Sequence, residues 1–205
     1  MPKPSVSPSL SPVVQVMQPL LISTGVVAVS EIGDKTQLLA LLLACRFRKP
    51  LPIIAGILVA TLLNHGIAAL AGGWIASAVD PQILRWVLGL LFLGMAGWAI
   101  IPDKIDEGSA CRTVGGSAFL TTALCFFLAE MGDKTQIATA ALAAQFDTIF
   151  LVVIGTTVGM LVADVPTVLF GNAAGGKINQ RWVRYAAAAV FAALGMLALS
   201  GIEVF

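Results

Sequence analysis

Residues 31–37 read EIGDKTQ, and residues 130–136 read EMGDKTQ, 99 positions further along the chain. Each copy places two acids and a lysine inside a run of Leu, Ala, Val and Ile long enough to cross a membrane, for which about 20 residues suffice. No other feature restricts the fold as much. The halves align without gaps beyond the motif: Phe47 matches Phe146, Gly56 matches Gly155, His65 matches Asp164, Gly72 matches Gly171 and Arg85 matches Arg184. A unit of three apolar spans is therefore duplicated. Three is odd, so the second copy enters the membrane from the opposite side, giving the inverted repeat common among secondary transporters.

Only 11% of the 205 residues are charged and 58% are hydrophobic, whereas a soluble domain carries about 25% charged residues. Lipid rather than water must cover most of such a surface. The expected fold is an all-α membrane protein of six transmembrane helices in two inverted three-helix repeats. The spans are Gln18–Arg46, Leu51–Val79, Ile83–Ile101, Ser117–Gln145, Ile149–Asn172 and Trp182–Ile202. This divides the chain into a Pro- and Ser-rich disordered tail (1–17), a first repeat (18–101), a cytoplasmic linker (102–116) and a second repeat (117–205). Lys3 stands alone, so the tail does not resemble a cleavable signal peptide. Net charge is +1, which gives no pull toward nucleic acid. Cys45, Cys111 and Cys125 form no close pair, so neither a zinc site nor a disulfide framework is expected.

Basic residues in the loops set the orientation. Arg46, Arg48, Lys49, Lys104, Arg112, Lys177, Arg181 and Arg184 fall on one face; Lys3 and Arg85 fall on the other. Basic residues stay cytoplasmic, so both termini are expected outside the cytoplasm.

The motif is costly to bury. Pricing Glu like Asp, the trio Glu31, Asp34 and Lys35 costs roughly 8–10 kcal/mol at a helix centre, and a dozen apolar neighbours offset only about half of that. Such groups usually face a bundle interior, where partners or an ion compensate them. At helical spacing, Glu31, Asp34 and Lys35 share one face, while Gly33 permits close approach or local unwinding. If the two motif segments face each other, Glu31, Asp34, Glu130 and Asp133 converge. With Lys35 and Lys134 charged, that set carries a net −2, which one divalent cation or two protons would neutralise. Carboxylate, hydroxyl and amide oxygens (Thr36, Gln37, Thr135 and Gln136 add the last two) suit Mn²⁺, Ca²⁺ and Mg²⁺. The competing reading is purely structural, with intrahelical Glu31–Lys35 and Glu130–Lys134 salt bridges locking helices together. Two symmetric copies with a surplus of acid weigh against it.

The duplicated E-x-G-D-K-T motif, here EIGDKT and EMGDKT, resembles the signature of the cation–proton exchanger family that includes the Golgi-type calcium/manganese exchangers and the MneA-like bacterial manganese exporters. The likeness covers the chain after the tail. It implies export of Mn²⁺, or Ca²⁺, from the cytoplasm against protons. The implied ion ligands are Glu31, Asp34, Glu130 and Asp133, with Thr36, Gln37, Thr135 and Gln136 as weaker candidates.

His65 and Asp164 occupy equivalent positions on the second and fifth spans, and with Lys35 and Lys134 are candidates for proton coupling or gating. The glycines Gly56, Gly72, Gly73, Gly155, Gly159 and Gly171 read as helix-packing positions. Trp74, Trp86, Trp98 and Trp182 read as interfacial anchors. The linker acids Asp103, Asp106 and Glu107 read as a solvated loop. An alternative function is export of an amino acid or other small solute, but four convergent acids have no purpose there. An intramembrane aspartyl protease would need two aspartates; here each travels with a Glu and a Lys, and the GxGD context is absent. No P-loop is present, so an ATP-driven pump is not expected. The expected partners are a divalent cation and protons as cargo, membrane lipid, and, compatibly, a second copy in a homodimer. No resident cofactor and no enzymatic activity are expected. A bacterial inner membrane suits a chain this short.

Overall fold

The computed structural model describes residues 12–101, 116–146, 148–170 and 180–201. The tail before Pro12, most of the linker with Lys104 and Arg112, Cys111, the Lys177 loop, and the expected span ends Asn172 and Ile202 lie outside the described residues. Among the described residues the chain is entirely helical. In order come α1 (Pro12–Glu31), α2 (Lys35–Phe47), α3 (Pro50–Ala78), α4 (Pro81–Ile100), α5 (Ala118–Glu130), α6 (Lys134–Gln145), α7 (Ile149–Phe170) and α8 (Gln180–Ser200). Helix α1 begins at Pro12, inside the stretch whose composition reads as tail.

Local chemistry sets these boundaries. Pro50 and Pro81 sit in the first turns of α3 and α4, where no intrahelical N–H is needed. The Asp80 carboxylate accepts from the Gln82 and Ile83 N–H groups, and the Ser117 hydroxyl accepts from Leu120 N–H, which caps α4 and α5. Helices α3, α4, α7 and α8 are long and apolar enough to cross a membrane, and α5 is a shorter apolar helix. Many of their large side chains point outward: Leu51, Leu70, Trp74, Phe150 and Trp182 are all well exposed. Cys45 is free, whereas Cys125 is disulfide-bonded, a pairing that cysteine spacing did not foretell.

One expectation needs correction. The first and fourth apolar runs are not continuous helices. Each breaks at its motif, over Ile32–Asp34 and Met131–Asp133, so the acids do not share one helical face. The break follows from Gly33 and Gly132, whose φ values of 82° and 75° lie in the left-handed region.

Packing interleaves the halves. Helix α1 runs along α7, while α5 and α6 run along α3, and α4 packs against α8. The closest approaches are matched: a Cβ on Gly56 would stand 2.8 Å from the Phe119 carbonyl oxygen, and one on Gly155 would stand 2.6 Å from the Leu20 carbonyl oxygen. Leu20 and Phe119 are themselves 99 apart. Between these contacts the core is filled by large apolar side chains, with Phe92, Phe126 and Phe191 almost fully enclosed.

Candidate functional site

Each motif is a helix end, a tight turn and a helix start. Glu31 closes α1 and Glu130 closes α5; in each, the carbonyl accepts from the N–H of the aspartate three residues on (Asp34 N, 3.0 Å; Asp133 N, 3.1 Å). Asp34 and Asp133 then stand at the N-cap positions of α2 and α6, yet neither side chain caps its own helix. An N-cap aspartate ordinarily accepts from the first-turn N–H groups. Here the carboxylates turn toward the other motif instead.

That turn produces two crossed ion pairs. Lys35 Nζ lies 2.8 Å from Asp133 Oδ1, and Lys134 Nζ lies 3.4 Å from Asp34 Oδ1. The intrahelical Glu31–Lys35 and Glu130–Lys134 bridges of the structural reading are not the pairs formed. The glutamates are bound by their own threonines: Thr36 Oγ1 donates to Glu31 Oε2 (2.6 Å) and Thr135 Oγ1 donates to Glu130 Oε2 (2.8 Å). All four acids are buried, Glu31 and Glu130 completely. One carboxylate oxygen from each of Glu31, Asp34 and Asp133 lies within 4.8 Å of the others. Glu130 is outside that trio. Glu31 Oε1, Glu130 Oε1 and Asp133 Oδ2 are buried and accept no hydrogen bond, an arrangement that costs several kcal/mol per ionised group unless a cation or proton compensates it.

The motif glutamines act as clamps. Gln37 Oε1 accepts from Gly33 N (2.9 Å) while its Nε2 donates to the Ala163 carbonyl on α7 (3.1 Å). Gln136 Oε1 accepts from Gly132 N (2.7 Å) while its Nε2 donates to the Asn64 side-chain oxygen on α3 (3.0 Å). Asn64 Nδ2 in turn donates to the Phe127 carbonyl (2.9 Å). Ala163 and Asn64 are equivalent positions in the two halves. Sequence reading passed over Asn64 as a neighbour of His65; an amide inside an apolar run was the available signal. His65 and Asp164 are fully enclosed, and none of their side-chain nitrogen or oxygen atoms has a hydrogen-bond partner.

A cavity of about 160 Å³ leads to the motifs. Gly33, Asp34, Lys35 and Lys134 line it, together with Ala99 on α4 and Arg184 on α8. Asp34 is the only motif acid among the lining residues.

The family described as "Divalent cation/proton antiporter GDT1" matches residues 19–107 and 118–203. A Vibrio cholerae protein named "Putative manganese exporter" is 51% identical over 181 residues, covering 88% of this chain and 90% of its own. "GDT1-like protein 3" of Oryza sativa subsp. indica is 31% identical over 191 residues, covering 80% of this chain and 67% of its own. "GDT1-like protein 5" of Arabidopsis thaliana is 24% identical over 215 residues. No solved structure gives a significant match. A motif-bearing segment in each half, both matched by one family, makes the assignment plain: the chain belongs to the GDT1 family of divalent cation/proton antiporters.

Proposed function

We propose that this chain exports Mn²⁺, with Ca²⁺ as a second cargo, from the cytoplasm in exchange for protons. It does so as a six-span inverted repeat (18–101 and 117–205, joined by the 102–116 linker and preceded by the 1–17 tail) in a bacterial inner membrane, with both termini outside the cytoplasm. The observation that carries the reading is the meeting of Glu31, Asp34 and Asp133 from the two halves within 4.8 Å. Hard oxygen donors in a buried cluster suit Mn²⁺ or Ca²⁺. The name of the Vibrio cholerae relative favours manganese.

The primary ligands are the carboxylates of Glu31, Asp34 and Asp133, with Glu130 completing the charge. Thr36 and Thr135 hold the glutamates in place, and Gln37 and Gln136 hold the helix breaks, so these four serve the ion chiefly through positioning. Four carboxylates and two ammonium groups leave −2, which M²⁺ or two protons cancel; the alternation of those two loads is the exchange. His65 and Asp164, buried beside the clamps, handle protons during the alternation. By the loop-charge orientation, the end of α4 and the start of α8 lie on the cytoplasmic side, so the cavity past Arg184 is the cytoplasmic entrance. Its volume of about 160 Å³ is well below the ~300–1,000 Å³ of sites for larger organic ligands, which disfavours the small-solute exporter.

The test is a proteoliposome assay with an imposed pH gradient, following Mn²⁺, Ca²⁺ and internal pH together. Divalent flux should move with protons. It should drop in Glu31→Gln and Asp133→Asn by at least the ~10–100-fold seen when even a supporting group is lost from a metal site. Flux of an amino acid without divalent flux, or normal transport by both variants, would sink the proposal.

A further inference from the structure

The duplicated chain offers an internal comparison, because Arg85 and Arg184 are equivalent residues in opposite surroundings. Both lie in the first turns of the third helix of their half, α4 and α8. These helices run antiparallel and cross where Gly89 and Gly195 meet backbone to backbone. Each arginine therefore stands near the carbonyl end of the other helix. Arg85 seats its guanidinium against Gly201, at the end of α8, where a Cβ would collide with Nη1. Its Nε is buried, and its Cζ lies 5.8 Å from the Trp86 ring centroid. A cation in that position is favoured by the negative end of the helix dipole. Arg184 instead borders the cavity, near Ala99 at the end of α4.

The space inside each arginine differs accordingly. On the Arg184 side, Ala99 and Phe191 face the cavity of about 160 Å³. Their counterparts in the other half, Ala198 and Phe92, close on Phe146 and Leu142 and leave no room for a water molecule. Arg85, packed against the end of α8, accompanies a sealed passage, and Arg184, on the wall of a cavity, accompanies an open one.

The geometry points to Arg85 and Arg184 as paired gate residues, each sealing its own side by seating its guanidinium at the carbonyl end of the opposing third helix. The inference rests on the antiporter reading, since a gate matters only for a cargo that crosses. It adds two residues outside the motifs to the transport cycle, and assigns this conformation as sealed at Arg85 and open at Arg184. A guanidinium suits the task because it stays charged, stacks on aromatic faces such as Trp86, and is more weakly hydrated than an ammonium. When the sides exchange, Arg184 seats at the end of α4 and Arg85 leaves Gly201.

The test uses cysteine reporters at the matched positions, Ala99→Cys and Ala198→Cys, in the full chain. Labelling by a charged thiol reagent is read against the same protein without the added cysteine. Both alanines are buried. A cysteine at 99 borders the open cavity and one at 198 borders closed space, so Ala99→Cys should label faster than Ala198→Cys. Adding Arg85→Ala should raise Ala198→Cys labelling several-fold, because it removes the guanidinium packed against Gly201 and the side-chain bulk that goes with it, and Arg85→Lys should restore part of the protection. Gly201→Ala, which displaces the guanidinium without altering its charge, should open the same side, and it keeps the test sharp should Arg85→Ala fail to fold. Arg184→Ala should leave Ala99→Cys labelled under every load while exchange flux falls. Unchanged Ala198→Cys labelling in both Arg85→Ala and Gly201→Ala would overturn the gate. If the unmodified protein moved no divalent ion, the antiporter reading would fail separately, and the labelling contrast would still judge the gate.

Discussion

Lys35 and Asp133 belong to different halves of the chain, yet their charged atoms are 2.8 Å apart, and Lys134 and Asp34 repeat the pairing at 3.4 Å. The motif lysines therefore bind the halves together rather than bracing their own helices. Removing either one leaves a buried aspartate with less compensation. The two losses differ in size because the Lys35 side chain is 30% exposed and that of Lys134 only 5%.

Lys134→Met is thus expected to cost about 3–5 kcal/mol, the range for breaking one side of a buried pair, and Lys35→Met clearly less. Thermal unfolding in detergent, followed for both variants, checks the order. Equal losses would mean that both pairs are equally screened.

The glutamine clamps predict a chemical distinction. Gln37→Glu keeps an acceptor for the Gly33 N–H but loses the donor to the Ala163 carbonyl, and it adds a negative charge beside the acids. Gln37→Leu loses both bonds and leaves the partly buried Gly33 N–H unmet, at about 1 kcal/mol, the low end of the range for an unsatisfied group. Both variants should lose transport, but Gln37→Glu should hold Mn²⁺ at least as tightly as the parent in equilibrium binding. Weaker binding by Gln37→Glu would argue that Gln37 contacts the ion directly.

The helix breaks can be tested without touching a charge. A Cβ at Gly132 meets nothing within 4 Å, so Gly132→Ala carries only the backbone penalty of φ near 75°, about 1–2 kcal/mol. If the break positions the acids, Mn²⁺ flux should fall more than that modest loss of stability explains. Melting temperature and flux measured on one preparation separate the two effects.

Much of this site could be read from the sequence, because buried charge in an apolar run is expensive and must find compensation. The second copy of the motif pointed to acids meeting across the halves, and Glu31, Asp34 and Asp133 do meet. Glu130 lies outside that trio, however, and the shared helical face expected from the motif spacing is broken. The helix breaks were harder to read, since hydropathy continues through Ile32 and Met131; Gly33 and Gly132 only permit the turn. The crossed lysines were not legible, because an i,i+4 partner is available to each lysine and one-dimensional spacing favours it. The clamp partners were invisible for a different reason. Gln37 and Ala163 are 126 residues apart, Gln136 and Asn64 are 72 apart, and one partner is a backbone carbonyl that any residue would supply.

Packing glycines give the last prediction. Gly56→Ala would push a methyl into the Phe119 carbonyl and Thr122, whereas Gly94 on α4 has nothing within 4 Å. Overpacking of this kind costs about 1–3 kcal/mol, while Gly94→Ala should stay within about 0.5 kcal/mol of the parent. Chemical denaturation of the two variants in one detergent compares them directly; an equally destabilised Gly94→Ala would show that α4 has a partner on that face.

The two clamps hold equivalent positions by different atoms, a side-chain oxygen at Asn64 and a backbone carbonyl at Ala163. Two separate, identical half-length chains meeting head to tail would carry the same residue at both positions, and would bind both glutamines in the same way. A single continuous chain is free of that rule. The Asn64–Gln136 side-chain bond is thus one that only two unlike halves can combine with a backbone clamp on the other side.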